Sequence, residues 1–300
     1  MTLSERRHRA SSRVKSLPSG ARSSATKCAS PLRYGRLGFP PCLLQAREVC
    51  FNRGVAIDLT CLGTGDAFGS VGRHNAGYLV RTAETSLLLD AGPSVLVALK
   101  SLQHEPEPID AVVISHLHGD HFGGVPFLLL DFTYETRRTR ELTIVGPPGV
   151  EERVRTLYHT LYSERRGQPI PFPVKFVEVA NGSTFEIADA RIESFAVPHQ
   201  TCELSLGHKL SSGGRSLVYS GDTPWTDDLI RQSSGSDLFL CECSTFDSEV
   251  PRHVRYVELE ENRKRLECKD ILLVHIGRDV RQRAGEIGLP LADDGLVKKV

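Results

Sequence analysis

Three histidines and one aspartate stand within six residues, and no other feature constrains this chain as strongly. The segment SHLHGDH spans residues 115–121, between apolar runs at 112–114 and 127–130. Those runs read as core, so the polar side chains between them need partners. Imidazole and carboxylate groups are the ligands that zinc and neighbouring first-row metals bind. Four such ligands exceed what one ion readily takes from a single loop, so the segment predicts a site for two ions.

Three later positions share one form, in which a strand-like run ends in a side chain that can bind a metal. His199 follows residues 195–198 (FAVP), Asp222 follows 218–221 (VYSG) and His275 follows 271–274 (ILLV). A lone histidine at such a position is usually structural. A rigid sheet can nevertheless bring the side chains that follow several strands close together, so these three positions strengthen the prediction of a two-ion site.

Short strands alternate with helices through the rest of residues 55–300. Apolar runs and period-two patterns predict strands at 55–62, 76–81, 86–90, 111–115, 142–145, 174–179, 183–187, 191–197, 204–210, 216–220, 237–241, 271–274 and 295–300. Helices are predicted at 93–102, 122–132, 149–163, 226–232 and 256–268. The order predicts an α/β (α+β) fold with helices packed outside two sheets. The charged run RRTR at 137–140 is expected to be solvated.

Charge divides the chain into two parts. The whole sequence has 37 basic and 37 acidic residues, yet residues 1–54 hold 11 Lys and Arg against two acids, net +9, and the remainder is net −9. Residues 1–54 are also rich in serine and lack a periodic apolar pattern. We therefore predict a basic, disordered extension at 1–54 and one domain at 55–300. An organellar transit peptide and translated upstream sequence with a start near Val55 stay open as alternatives.

Deleting residues 1–54 should leave folding and metal content intact, because this segment has no core-forming periodicity. Circular dichroism and elemental analysis of the shortened chain would check this. A shortened protein that is insoluble, or inactive on every substrate, would show that the segment is part of the domain.

Composition also bears on the compartment. No apolar run approaches the roughly 18 residues of a membrane span, and the eight cysteines show no CxxC spacing. A disulfide framework is not expected in a chain of this length. These features predict a cytoplasmic protein with mostly reduced cysteines and no membrane partner, with organellar import by residues 1–54 as the alternative.

The ordered motifs resemble the metallo-β-lactamase fold superfamily. The HxHxDH pattern at 116–121, then His199, SGDT at 220–223 and His275, carry this resemblance. The segments LGTGDAF at 62–68, RHN at 73–75, GPPG at 146–149 and CEC at 241–243 resemble its ribonuclease Z-like branch. The resemblance covers residues 55–300 and implies a four-layer αββα sandwich of two mixed β-sheets, with metals at one edge.

The resemblance also implies two ligand sets joined by one carboxylate, which can serve two ions about 3.5–4 Å apart. The ligands are His116, His118 and His199 for one ion, Asp120, His121 and His275 for the other, and Asp222 as the bridge. The implied ions are two Zn²⁺, with Mn²⁺ or Fe²⁺ as alternatives. The implied reaction is attack on the substrate by a hydroxide that bridges them.

A departing alkoxide needs a proton, and the resemblance places Glu242 and His253 where the branch has a glutamate and a histidine for this purpose. Asp120 completes the set of candidate catalytic residues. The motifs around Glu242 and His253 match only in part, so a surface or metal-supporting role for His253 stays open. Arg73 and Asn75 are candidate contacts for a substrate phosphate, with stabilisation of a hairpin as the alternative.

The sequence is compatible with several functions. The leading hypothesis is a dinuclear zinc phosphodiesterase, and the alternative is a hydrolase of carboxylic esters, thioesters or lactones, similar to glyoxalase II or a lactonase. A tRNA 3′-processing endonuclease is less favoured, because only residues 200–220 separate His199 from Gly221, too few for a tRNA-gripping arm. The acidic body also disfavours nucleic acid. A non-catalytic metal-binding protein and a homodimer both stay open.

Overall fold

The structure is a computed structural model that describes residues 57–300. The predicted extension at 1–54 lies outside the described residues. Thirteen strands form two sheets within this range. The first sheet contains β1 (Asp58–Gly63), β2 (Gly77–Arg81), β3 (Ser86–Leu89), β4 (Ala111–Val113), β5 (Leu142–Gly146) and β6 (Val174–Glu178). The second contains β7 (Thr184–Ile187), β8 (Ala190–Val197), β9 (Ser205–Ser212), β10 (Arg215–Tyr219), β11 (Leu238–Glu242) and β12 (Ile271–Val274), and β13 (Val297–Lys299) returns to the first sheet beside β1.

Both sheets are mixed. In the first, β1, β2 and β3 pair antiparallel, whereas β3 through β6 are parallel. In the second, β7 through β10 pair antiparallel, whereas β10, β11 and β12 are parallel. The strands β4, β8, β10, β11 and β12 end at one edge of the sandwich, because the residues at or just after their ends lie close together.

The alternation of side chains along each strand builds the layers. On β2, Tyr78 and Val80 face the core between the sheets, and Leu79 faces the outer helices. On β10, Tyr219 faces the same inner core and Val218 the opposite outer layer. All of these side chains are buried, which explains why the strands read as nearly continuous apolar runs.

Helices cover the outer faces of both sheets. On the first sheet lie α1 (Val95–Ser101), α2 (Gly119–Phe122), α3 (Val125–Tyr134) and α4 (Val150–Leu161); on the second lie α5 (Asp227–Ser233), α6 (Tyr256–Asn262) and α7 (Arg278–Gln282). The four-layer αββα architecture implied by the sequence is confirmed. None of the described helices combines the length and apolarity that a membrane crossing requires.

Two local predictions were wrong. The α-helix predicted at 256–268 ends at Asn262 and is followed by a 3-10 turn at Arg263–Arg265. The chain becomes extended at Leu266, which packs against the outer core, because it must then enter β12. The run at 137–140 is not uniformly solvated, since Arg138 is buried. Its guanidinium donates hydrogen bonds to the carbonyl oxygens of Arg140, Glu107 and Glu141, so this charge stabilises a turn.

Candidate metal centre

The predicted metal-binding residues meet at the common edge of the two sheets. The segment 116–121 follows β4, His199 follows β8, Asp222 follows β10, and His275 follows β12 directly. Gly221 allows the chain to turn between β10 and Asp222. Its φ is +59°, and a Cβ there would lie 2.5 Å from the carbonyl oxygen of Leu206. Only glycine is readily accommodated in that position.

The first group of donors consists of three imidazoles. His118 Nδ1 lies 3.0 Å from His116 Nε2 and 3.1 Å from His199 Nε2. Burial lowers the pKa of His116 well below its ordinary value and lowers that of His199 to about 4. Neutral imidazole nitrogens that converge in this way are suited to bind a metal ion.

The second group combines imidazoles with carboxylates. Asp120 Oδ2 lies 3.2 Å from His121 Nε2 and 3.3 Å from His275 Nε2. Asp222 Oδ2 lies 3.2 Å and 3.3 Å from the same two nitrogens. Burial opposes the charged form of His275, but the Asp222 carboxylate and the hydrogen bond to Asp120 outweigh it and raise the pKa of His275 to about 9.

Both groups fit divalent ions. Within each group the donor atoms lie within 4.8 Å of one another. The buried atoms His121 Nε2 and Asp222 Oδ1 have no hydrogen-bond partner among the described residues. Buried polar atoms without partners are costly, and ion coordination would satisfy both. Three imidazoles on one side and a mixed imidazole–carboxylate set on the other suit zinc.

Asp90 is a supporting residue that the sequence reasoning missed. It directly follows β3 and is fully buried. One carboxylate accepts hydrogen bonds at 2.7 Å from the backbone N–H and Oγ of Ser115, from the Tyr219 hydroxyl and from His121 Nδ1. The bond from His121 Nδ1 leaves Nε2 facing the metal centre. The signal was present, because Asp90 follows an apolar strand just as Asp222 does.

Exchanging Asp90 for Asn should weaken metal binding at the His121 side by about 10–100-fold, the usual effect of losing such a partner. An amide also presents N–H groups to donors that need an acceptor. Chelator competition would measure the affinity. Asp110→Asn is the control, since Asp110 also accepts hydroxyl and backbone hydrogen bonds but contacts no histidine of the centre. Equal metal affinity in wild type and Asp90→Asn would contradict the assignment.

Backbone strain also gathers around the centre. Asp90, Arg252 and His275 have φ of 57°, 68° and 50°, a region that residues other than glycine rarely adopt. The carbonyl of Arg252 accepts a hydrogen bond from His199 Nδ1 at 3.0 Å, and its guanidinium donates to the His199 carbonyl at 2.8 Å. The loop after β11 is therefore connected to the loop that carries His199.

Glu242 and His253 form a pair beside the second group. His253 Nδ1 lies 3.1 Å from both oxygens of the buried Glu242 carboxylate, which also accepts bonds from Thr223 N at 2.5 Å and Ser244 Oγ at 2.7 Å. Burial lowers the pKa of His253, but the hydrogen bond and charge of Glu242 outweigh it and raise that pKa.

Ser244 is a second residue that the sequence reasoning missed, and its Oγ lies 3.0 Å from His275 Nδ1. Asp222, Glu242, His253 and His275 also lie close enough to form a third donor group.

Arg73 and Asn75 are engaged away from the centre. Arg73 forms an ion pair with Asp293 at 2.6 Å. The Asn75 side chain donates to the carbonyl of Asp66, and its backbone N–H donates to Ser94 Oγ. Neither residue lines the two clefts that open onto the metal centre. Contact of either with a substrate stays a prediction.

Two clefts reach the centre, and His118 and His253 line both. The first has a volume of about 580 Å³ and polar walls that include Arg153, Gln200 and Arg252. The second has a volume of about 650 Å³, and its lining includes Phe68, Ser244 and His275.

Comparison with known families agrees with the resemblance seen in the sequence. Residues 57–291 match the family model described as Anti-Pycsar protein Apyc1. This match spans more than half of the chain. The chain belongs to the Anti-Pycsar protein Apyc1 family. The matched region contains the ordered histidine and aspartate motifs of the candidate metal centre.

Individual relatives are similar over most of the chain. A ribonuclease Z of Lachnoclostridium phytofermentans is 27% identical over 271 residues, covering 73% of this chain and 87% of that protein. The uncharacterized protein ML1173 of Mycobacterium leprae is 30% identical over 228 residues, covering 74% and 78%. The chain is accordingly a ribonuclease Z-like protein and a metal-dependent hydrolase.

Solved structures share the fold. The metallo-β-lactamase fold protein YhfI of Bacillus subtilis superposes with a TM-score of 0.67 at 21% identity, covering 82% of this chain and 100% of that one. The short form of human tRNase Z superposes with a TM-score of 0.65 at 23% identity, covering 81% and 99%. The predicted metallo-β-lactamase fold is confirmed.

Proposed function

We propose that this protein is a dinuclear zinc phosphodiesterase that acts on small substrates. The observation that carries the proposal is the arrangement of two adjacent donor groups around Asp222, with the Glu242–His253 pair directly beside them. A hydrolase of phosphodiesters needs both a place for two ions and a group that can protonate a poor leaving group.

The roles follow from position. His116, His118 and His199 would hold one ion, Asp120, His121 and His275 the other, and Asp222 would contact both. When bound, such ions make a hydroxide available near neutral pH and neutralise charge on the phosphate. Asp120 is a ligand in this scheme and takes part in catalysis only through the ion that it holds.

His253 is the proposed general acid. Its Nδ1 donates to Glu242, so its Nε2 is left to face the cleft and carry a proton to the leaving oxygen. Glu242 is fully buried and favours the protonated imidazole by its charge. The hydrogen bond also fixes the ring orientation, which is the usual role of a carboxylate behind a histidine.

Small phosphodiesters are favoured over tRNA by the connection between His199 and Asp222. It consists of a short loop and the hairpin β9–β10, with no further element. The net charge of −9 over residues 55–300 is also unlike a surface built for long nucleic acids. Names among the relatives support phosphoester chemistry in general: ribonuclease Z, and a diphosphatase of the PhnP family that matches with a TM-score of 0.65 at 20% identity.

One panel of assays tests the proposal. Purified, zinc-loaded protein is given bis-p-nitrophenyl phosphate, a 2′,3′-cyclic nucleotide, a pre-tRNA and an acyl-homoserine lactone. We expect hydrolysis of the first two. Turnover of the lactone alone would replace the proposal with an ester or lactone hydrolase, and cleavage of the pre-tRNA with the highest kcat/KM would replace it with a tRNA-processing enzyme.

A further inference from the structure

The acid loop, residues 247–253, carries His253 and is closed at its base but exposed along most of its length. At the base, the backbone N–H of Ser244 donates to the carbonyl of Val254 at 3.2 Å. Residues 247–252 are all exposed, whereas His253 is half-buried. Because exposed segments with few buried contacts open readily, a contact that ties the acid loop to the protein determines where His253 lies.

Arg252 contacts the metal-binding residue His199 twice. The Arg252 carbonyl accepts a hydrogen bond from His199 Nδ1 at 3.0 Å, and the Arg252 guanidinium donates to the His199 carbonyl at 2.8 Å. Two bonds in opposite directions between the same residues fix their relative position. The next side chain, His253, packs edge-to-face on the His199 ring with the ring centroids 4.8 Å apart. The acid loop is therefore anchored to a ligand of the first donor group.

The backbone of Arg252 adopts an unfavourable conformation at this anchor. Its φ of 68° lies in a region that residues other than glycine rarely adopt. Such a conformation persists where the surrounding contacts hold it in place. The paired bonds to His199 are contacts of this kind, so they stabilise the one backbone geometry from which His253 projects toward the metal centre.

Metal binding favours the form of His199 that this anchor requires. A carbonyl oxygen only accepts hydrogen bonds, so its bond with His199 needs a proton on Nδ1. In the metal-free protein the single proton of the neutral ring can also lie on Nε2, which is 3.1 Å from His118 Nδ1. When Nε2 binds a metal ion, the proton must lie on Nδ1. Occupation of the first donor group should therefore strengthen the bond between His199 and the carbonyl of Arg252.

Other contacts orient the ring of His253 without Arg252. The ring Nδ1 lies 3.1 Å from Ser244 Oγ and from both carboxylate oxygens of Glu242. The ring is also parallel to that of His275, with 4° between the planes and the centroids 5.6 Å apart. These contacts determine the orientation of the ring, whereas Arg252 determines the position of the backbone that carries it.

We propose that Arg252 is a positioning residue that anchors the acid loop to His199, so that occupation of the first donor group fixes His253 in its place beside the leaving oxygen. Arg252 acts in this scheme through His253. The inference rests on the proposed phosphodiesterase function and adds a link between metal occupancy and the placement of the general acid.

Hydrogen–deuterium exchange measures the anchor without a substrate. Zinc loading of wild-type protein should slow amide exchange in residues 247–253 by about 2- to 10-fold, the factor that one hydrogen bond contributes. Arg252→Asn tolerates a positive φ but is too short to reach the His199 carbonyl, so its zinc-loaded form should exchange faster than zinc-loaded wild type by a similar factor. Arg252→Lys keeps a long donor and should stay near wild type. The outer helix α5 is the internal reference and should exchange equally in all samples.

Kinetics on two leaving groups test whether the anchor serves His253. Arg252→Asn should lower kcat on a 2′,3′-cyclic nucleotide by about 10- to 100-fold, the usual effect of losing a supporting contact. It should leave KM unchanged and should keep most activity on bis-p-nitrophenyl phosphate, whose leaving group needs no proton. Arg252→Lys should restore most of the lost kcat. Glu249→Gln is the control, because Glu249 belongs to the acid loop, is 88% exposed and lines neither cleft.

Three results would overturn the inference. A raised KM with unchanged kcat on both substrates would make Arg252 a substrate contact in the first cleft. Equal losses of kcat on both substrates would show that it does not act through His253. Equal exchange of residues 247–253 with and without zinc in wild type would remove the link to metal occupancy.

The exchange measurement also separates this inference from the proposed function. If wild-type protein hydrolyses no phosphodiester, the phosphodiesterase proposal fails. The anchor still stands if zinc slows exchange in the acid loop and Arg252→Asn reverses that effect while keeping the zinc content of wild type. It falls if Arg252→Asn and Glu249→Gln exchange alike in this loop.

Discussion

Asp222→Ala should reduce zinc binding from two ions per chain to one or none, and should lower hydrolysis more than loss of any single histidine. Asp222 Oδ2 lies 3.2 Å from His121 Nε2 and 3.3 Å from His275 Nε2. It also lies 3.9 Å from the Nε2 atoms of both His116 and His199. One oxygen thus faces imidazoles from both donor groups.

Asp222→Ala should lose zinc because the variant lacks both a metal ligand and the negative charge of the carboxylate. Asp222 is 2% exposed, and its carboxylate is held ionised, because the nearby charges of His121 and His275 outweigh burial and keep its pKa well below the ordinary value. Two divalent ions at the short separation of such sites repel one another. Without the shared carboxylate, occupation of one group should therefore hinder occupation of the other.

Elemental analysis after zinc loading and desalting measures the stoichiometry, and chelator competition measures the two affinities. Asp293→Ala is a suitable control, because it removes a half-buried carboxylate whose only ion pair among residues 57–300 is with Arg73. That variant should keep two ions. Wild-type protein that retains one ion or fewer would end the dinuclear proposal, and an Asp222→Ala protein that keeps two tightly bound ions would remove the bridging role.

Much of the fold could be predicted because its determinants are local. The central strands are buried on both faces, so each appears in the sequence as a short apolar run between turns, as at β4 and β12. Hairpins such as β9–β10 can be predicted from turn residues, here Gly213 and Gly214. The end of α6 was not predicted, since it depends on where the chain must enter β12, a condition set by the neighbouring strands.

The candidate site could be predicted for a related reason. Its seven metal-capable residues follow strands, and the parallel order brings those strand ends to one edge. The contacts that were not predicted join residues that are far apart in the chain. Arg73 meets Asp293 across 220 residues, and Tyr219 donates to Asp90 across 129. No local pattern encodes such contacts, so the partner of Arg73 and the partners of Asp90 could not be predicted, although the position of Asp90 directly after an apolar strand was a local signal.

His253→Ala should lower kcat by about 10²–10⁴-fold on a nucleotide or alkyl phosphodiester, the usual contribution of a general acid. The same variant should keep most of its activity on a p-nitrophenyl ester, because p-nitrophenolate leaves without a proton. The expectation follows from the position of His253, which is bonded through Nδ1 to Glu242 and lines both clefts. His159→Ala, on α4 and away from both clefts, is the control and should leave both rates unchanged.

Comparing the two leaving groups distinguishes a general acid role of His253 from a structural or binding role, which a rate on one substrate cannot do. Equal losses on both substrates would make His253 a structural or binding residue, and the phosphodiester chemistry would then lack its proton donor. Zinc content must be measured in parallel, because His253 lies within reach of Asp222 and His275 in a third donor group. Loss of zinc in His253→Ala would make it a ligand and would require the assignment of His275 to be revised. Unchanged zinc with a selective loss on the poor leaving group would be the result that general acid catalysis requires.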